Sequence, residues 1–303
     1  MLMVFRLLKR LLRLLLILYA GALIVAFVIE PAPLPEHPFF SRGTSAPLVI
    51  AHRGGPELGP ESTLYTYRKV ADLGVDMLEM DVHATRNGRL VVAHDRRVNR
   101  VTNGTGRIAE MTFDELRSLD AGYNWTVDSL TYPLRGKGIQ MPTVEEMFDT
   151  FPDWRFVIEL KARTPAVAQD LCAAVQQHGL TERVAIASFS GDALKSFRTA
   201  CPQVLTTASF DEGLLFWVLH KLRLDDLYTR TPFGGFMVMP QLGPFTTIDE
   251  RLMQTARRRN LAVQVWTINE RAQMEKFIRL GVNGIMTDRP TQLLSLIEGG
   301  STQ

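Results

Sequence analysis

Eight short apolar, β-rich runs recur along this chain with helical stretches between them, and that alternation constrains the fold more than any other feature. The runs fall at 48–51, 77–82, 156–160, 184–188, 205–209, 236–239, 263–267 and 284–287. Helices are expected at 63–73, 166–178, 192–200, 248–259 and 270–280. Runs such as FVIEL and VQVWT are apolar on both faces, as strands covered on both sides require. Alternating β and α units imply a parallel sheet, and eight of them imply closure into a TIM (β/α)8 barrel.

A ninth strand-like run, 90–94, follows too soon after Val82 for a parallel crossover. Asn87-Gly88 lies between them, and this pair favours a two-residue hairpin turn because both positions take positive φ. The run is therefore expected to be an antiparallel hairpin over the barrel mouth. With Arg86 paired to Arg89, counting along the ladder sets His94 opposite Asp81. From about 99 to 141 no barrel strand is expected, and this stretch reads as a small insertion over the mouth. Thr112-x-x-Glu115 and Thr143-x-x-Glu146 are capping-box patterns that begin short helices.

The N-terminus is compositionally separate. Residues 14–29 carry no charge, and with Leu11, Leu12 and a snorkelling Arg13 they approach the length of a spanning helix. Residues 1–30 are expected to form a transmembrane anchor, 31–46 a Pro-rich linker and 47–298 the barrel domain. Arg6, Lys9, Arg10 and Arg13 precede the apolar run, so the N-terminus is expected on the cytoplasmic side and the barrel on the extracytoplasmic side. A signal peptide cleaved near Ala20-Gly21-Ala22 and an interfacial helix are the other readings. With 34 Lys+Arg against 32 Asp+Glu, the net charge of +2 gives no electrostatic drive toward nucleic acid. Cys172 and Cys201 lack metal-ligand spacing and read as packed core residues, with a disulfide left open.

In a barrel of this kind the chemistry gathers where the strands end. There the sequence places His52 and Arg53, Glu79 and Asp81, His94, Glu159 and Lys161, and Trp266. Glu79 and Asp81, two apart on a strand, point to one side. Together with Glu159 they would repel strongly without a cation. All-oxygen ligation favours Mg²⁺ or Ca²⁺ over zinc. Arg53 and Lys161 suit a phosphate, and His52 and His94 suit acid–base catalysis. His83 shares the parity of Glu79 and Asp81 but reads first as a surface residue of the hairpin and second as a ligand. His37, His178 and His220 are expected to face solvent. Trp266 either stacks on a substrate glycerol or head group, or packs the barrel mouth.

Taken together, IAHRGG, GPEST, LEMDVHATRNGRLVVAHD, IELK, VWTIN and GVNGIMTDRP resemble, in this order, the glycerophosphodiester phosphodiesterase family. The resemblance covers about 48–297. It implies a TIM barrel and metal-dependent hydrolysis of glycerophosphodiesters to glycerol 3-phosphate and an alcohol. It carries catalytic histidines onto His52 and His94 and metal carboxylates onto Glu79, Asp81 and Glu159. Arg53 and Lys161 take the places of the family's arginine and lysine, and Glu61 that of the PEN glutamate near the site. The usual asparagine after that glutamate is replaced by Ser62, which is expected to cap the following helix. Membrane anchoring keeps a second substrate open, a lysophospholipid cleaved by a lysophospholipase D. A reading of another class is an inactive barrel that binds lipid head groups or a protein.

Overall fold

The computed structural model describes residues 2–40, 46–162 and 164–300. Part of the expected linker, 41–45, lies outside the described residues. Eight parallel strands form the barrel: β1 (Leu48–Ala51), β2 (Met77–Ala84), β4 (Arg155–Leu160), β5 (Val184–Ala187), β6 (Leu205–Thr206), β7 (Gly235–Val238), β10 (Ala262–Val265) and β11 (Gly284–Thr287). They run in the order β6-β5-β4-β2-β1-β11-β10-β7, and a parallel bridge between Thr207 and Gly235 joins the two ends, while β8 (Gln241–Leu242) and β9 (Phe245–Thr246) form a separate antiparallel pair after β7.

Alternation along the strands separates two cores. Leu48, Ile50, Met77, Val157, Ala185 and Met286 point inward and fill the barrel with Phe39 at its foot. Val49, Leu78, Met80, Phe156 and Ile158 point outward against the helices. The outer ring begins with α2 (Leu64–Asp72), α4 (Val144–Thr150) and α5 (Pro165–Gln177). It continues through α6 (Gly191–Ala200), α7 (Phe210–Lys221), α8 (Glu250–Arg258), α9 (Arg271–Leu280) and α10 (Pro290–Gly300). Both expected capping boxes form, at α3 (Phe113–Arg117) and at α4.

The hairpin is present, with β3 (Leu90–Val92) antiparallel to β2, but its register differs by one residue from the expected one. Thr85 N donates to Arg89 O, leaving a three-residue loop with Gly88 left-handed at φ +83°. Asn87 spends its side chain on the insertion, where Oδ1 accepts from Phe113 N at 3.1 Å. A three-residue loop ending in a left-handed glycine is the next favoured hairpin after the two-residue turn. Ala93, not His94, therefore faces Asp81 across the ladder, with Ala93 N donating to Asp81 O at 3.0 Å. The insertion has a small core of its own, in which Val98, Ile108, Leu116 and Met141 pack on Val91.

At the N-terminus, α1 (Leu2–Val28) is one continuous helix whose apolar side chains are largely exposed. It is long and apolar enough over Met3–Val28 to be a candidate membrane span. Tyr19 Oη donates to Leu222 O at 2.9 Å, and Leu34 N donates to Arg259 O at 3.0 Å. The start of the linker is thus laid against the barrel, with Phe39 fully buried.

Three further expectations are corrected. Cys172 and Cys201 form a disulfide, with Cα atoms 5.6 Å apart, because α5 and α6 are neighbours in the outer ring. His220 is buried rather than solvent-facing: Nε2 contacts Asp249 Oδ1 at 3.1 Å and Nδ1 meets the Arg251 guanidinium. The cap of α2 is Thr63, whose side chain accepts from Thr66 N, whereas Ser62 holds a left-handed φ of +58°.

Candidate active site

The inward parity of each strand, continued past its last core residue, builds the site. Ile50 is followed two residues later by His52, Met77 by Glu79 and then Asp81, and Val157 by Glu159 and then Lys161. Gln264 leads to Trp266 and Met286 to Asp288 in the same way. His52, Arg53, Glu79, Glu159, Lys161 and Trp266, with His94 from beyond the hairpin, line one cavity of about 290 Å³. Asp81 lies behind its wall, and its carboxylate meets Lys161 and Arg53. Glu61 stands further back, held by Arg100 through two hydrogen bonds of 2.8 and 2.6 Å, with Arg53 Nη1 at 3.5 Å.

Asp81 and Glu159 are register partners on β2 and β4. Lys161 Nζ bridges them, at 2.9 Å from Asp81 Oδ1 and 2.8 Å from Glu159 Oε1. Burial pulls the Lys161 pKa down, but these two carboxylates outweigh it and hold the ammonium above its ordinary value. Glu79 accepts from Arg53 N at 2.8 Å. Its burial, then the nearby Asp81 charge, push its pKa up to about 8. Burial also raises that of Glu159, against the pull of Lys161.

Among the described residues, no group of three or more His, Cys, Asp or Glu is arranged to hold a metal ion as it stands. The ammonium of Lys161 takes the place between two of the expected ligands. The donor chemistry nevertheless fits a hard cation. Glu79, Asp81 and Glu159 are oxygen donors brought together by neighbouring strands, and the buried Asp81 Oδ2 makes no hydrogen bond.

The two histidines are oriented differently. His52 Nδ1 lies 2.6 Å from Asp288 Oδ1, and Asn269 Nδ2 donates to the other Asp288 oxygen at 2.6 Å. Burial opposes the His52 cation, yet the Asp288 hydrogen bond and the Glu79 charge raise its pKa above the ordinary value. His94 Nδ1 lies 2.8 Å from Asp95 Oδ1, and Asp95 is itself engaged by Arg100 Nε at 2.7 Å. Burial lowers the His94 pKa despite Asp81 and Asp95. His83 is buried, not on the surface, because the hairpin folds over it, and its Nε2 lies 3.2 Å from His94 O.

The residues not anticipated are Asp288, Asn269, Asp95 and Arg100. Asp288 had a legible signal: it sits two past Met286, on the inward parity of the last strand. Arg100 had none, since it reaches Glu61 across 39 residues.

Residues 52–292 match the model of the Glycerophosphoryl diester phosphodiesterase family. The glycerophosphodiester phosphodiesterase of Caldanaerobacter subterraneus subsp. tengcongensis is 30% identical over 258 residues, 84% of this chain and 98% of that one. The fold is similar to a putative glycerophosphoryl diester phosphodiesterase from Silicibacter pomeroyi, with TM-score 0.72 and 23% identity over 87% of this chain and 97% of that one. It is also similar to an Oleispira antarctica phosphodiesterase in complex with the product sn-glycerol-3-phosphate, with TM-score 0.64 and 22% identity over 84% and 97%. The chain belongs to the glycerophosphoryl diester phosphodiesterase family.

Proposed function

We infer that this chain hydrolyses glycerophosphodiesters to sn-glycerol 3-phosphate and an alcohol. One observation carries the reading: a single cavity at the strand ends is lined by two imidazoles, a guanidinium, an ammonium and carboxylates. The family generally uses a divalent metal. Here Glu79, Asp81 and Glu159 would hold Mg²⁺ or Ca²⁺, which supplies positive charge to the phosphoryl oxygens when bound.

Arg53 and Lys161 bind the remaining phosphoryl oxygens, and Trp266 closes the cavity on the glycerol side. Arg53 Nε lies 3.6 Å from Asp81 Oδ2 and Nη1 3.5 Å from Glu61 Oε1, so the two carboxylates set the guanidinium at the cavity edge. His94, whose cation burial disfavours, takes the proton from the attacking hydroxyl, and His52, whose cation Asp288 favours, gives one to the leaving alkoxide. In the net reaction the oxygen of water joins phosphorus and the P–O bond to the alcohol breaks. Glu61 acts through Arg53 and Arg100, holding their guanidinium groups in place.

Residues 47–298 make up the catalytic unit in this reading, with 1–30 as an uncleaved anchor and 31–46 as its linker. The basic residues before the apolar run favour a cytoplasmic N-terminus and an extracytoplasmic barrel. The Cys172–Cys201 disulfide suits that oxidising side. The test is product analysis on glycerophosphocholine by the purified full chain. The expected products are sn-glycerol 3-phosphate and choline, with turnover abolished by a chelator and restored by Mg²⁺ or Ca²⁺. No cleavage of any glycerophosphodiester under these conditions would refute the reading.

A further inference from the structure

Helix α7 departs from the pattern of the outer ring. A surface helix turns apolar residues to the core and polar residues to solvent, as α8 does with Gln254, Arg257 and Arg258 outward. In α7 the run 214–219 is apolar on every side. Phe216 and His220, four apart, point inward and are buried. Leu215 and Val218 point outward and are 50% and 39% exposed, and Leu222 at the helix end is 45% exposed. Steps of three and then four residues place these three side chains in one stripe along the helix. Phe245 of β9 rests on Trp217 of α7, with ring centroids 5.9 Å apart, and is itself exposed.

The end of this stripe is held by α1. Tyr19 Oη donates to Leu222 O at 2.9 Å, and α1 also packs on the short helical turn Asp225–Leu227 that follows α7. Tyr19 falls within 14–29, the stretch of α1 without a charged side chain. At 1.5 Å per residue it lies about 15 Å before Ile29. A helix end bonded at that level of a membrane span lies in the bilayer with it. The last carbonyls of a helix have no partner within it, and hydrocarbon supplies none, so the Tyr19 hydroxyl meets a need that lipid immersion creates at Leu222. The linker adds no slack, because Leu34 N donates to Arg259 O and Phe39 is buried at the foot of the barrel. We propose that the outward face of α7, Leu215, Val218 and Leu222 with Phe245 beside it, is seated in the bilayer leaflet on the barrel's side. The barrel then rests on the membrane by a second contact instead of hanging from α1 alone. The proposal rests on the reading of α1 as a membrane span.

The test uses the full chain reconstituted in phosphatidylcholine vesicles. Both native cysteines are taken up by the disulfide, so one introduced cysteine carries an environment-sensitive fluorophore. Labels at Leu215→Cys and Val218→Cys, both exposed positions, report the face. A label at Asp72→Cys on α2, exposed and across the ring from α7, is the reference for solvent, and one at Leu16→Cys reports the span. Nitroxide on the lipid acyl chains should quench both α7 labels at least threefold more than the Asp72 label, and iodide in the water should show the reverse order. Quenching of either α7 label like the Asp72 label would overturn the docking. So would an α7 label shielded from both quenchers, as a second copy of the chain seated on the face would leave it. The Leu16 label separates the two readings. Lipid quenching there without quenching on α7 overturns the docking and leaves the span intact. Quenching at neither place overturns both, and quenching on α7 alone upholds the docking while the span fails.

Discussion

His52 and Asp288, 236 residues apart in the chain, meet at 2.6 Å because β1 and β11 are register partners and each sends its next inward residue into the same cavity. The carboxylate fixes the imidazole ring and favours its cation. Asp288→Asn should keep the ring in place and remove the charge. Turnover should fall about 10²–10⁴-fold with little change in KM. The pH limb belonging to His52 should move to lower pH, which a purely structural role would not produce. Steady-state kinetics across pH 5–9 provide the check.

Glu79 gives a stability prediction with a defined sign. Its pKa is about 8 in the folded chain against an ordinary 4.5. The unfolded chain loses this proton first, so in chelator stability should fall as pH rises from about 4.5 to about 8 and then level off. The loss is on the order of 3–5 kcal/mol for a fully buried carboxyl. Glu79→Gln should flatten this window and leave the metal-free protein more stable than wild type at pH 8, while abolishing turnover. Urea titrations of both proteins at several pH values test it, and identical slopes would contradict it.

Arg100 holds Asp95 with one edge and Glu61 with the other. Arg100→Ala should loosen both the Asp95 that orients His94 and the Glu61 behind Arg53. Turnover should drop about tenfold or more. Lys should not rescue it, because an ammonium cannot reproduce two paired hydrogen bonds. Comparing kcat for Arg100→Ala and Arg100→Lys is sufficient.

How much of this was written in the sequence depends on the range of the interaction. Strand positions followed from local composition, and β1 and β11 came out at their full observed extents. That residues on inward strand parity meet at one cavity was legible for the same reason, since a period of two needs no knowledge of partners. The hairpin register was not, because Asn87 engages Phe113 N in the insertion rather than closing a two-residue turn. The bridging of Asp81 and Glu159 by Lys161 was missed as well. A pattern of charges names the members of a cluster but not which cation stands between which anions. The burial of His220 was not legible, because Asp249 and Arg251 reach it from a later element.

Ser62 sits at φ +58°, a region that asparagine tolerates better than serine. Ser62→Asn, the residue usual in the family the sequence resembles, should therefore stabilise the chain by about 0.5–1 kcal/mol. Thermal unfolding should show a rise of about 1–3 °C.

The strand-end cavity is proposed to cleave a phosphodiester with His52 and His94. The most direct measurement is metal-supplemented turnover of glycerophosphodiester by His52→Ala and His94→Ala, each confirmed as folded by circular dichroism. Each substitution should lower kcat by about 10²-fold or more. Wild-type turnover in either folded variant would contradict it.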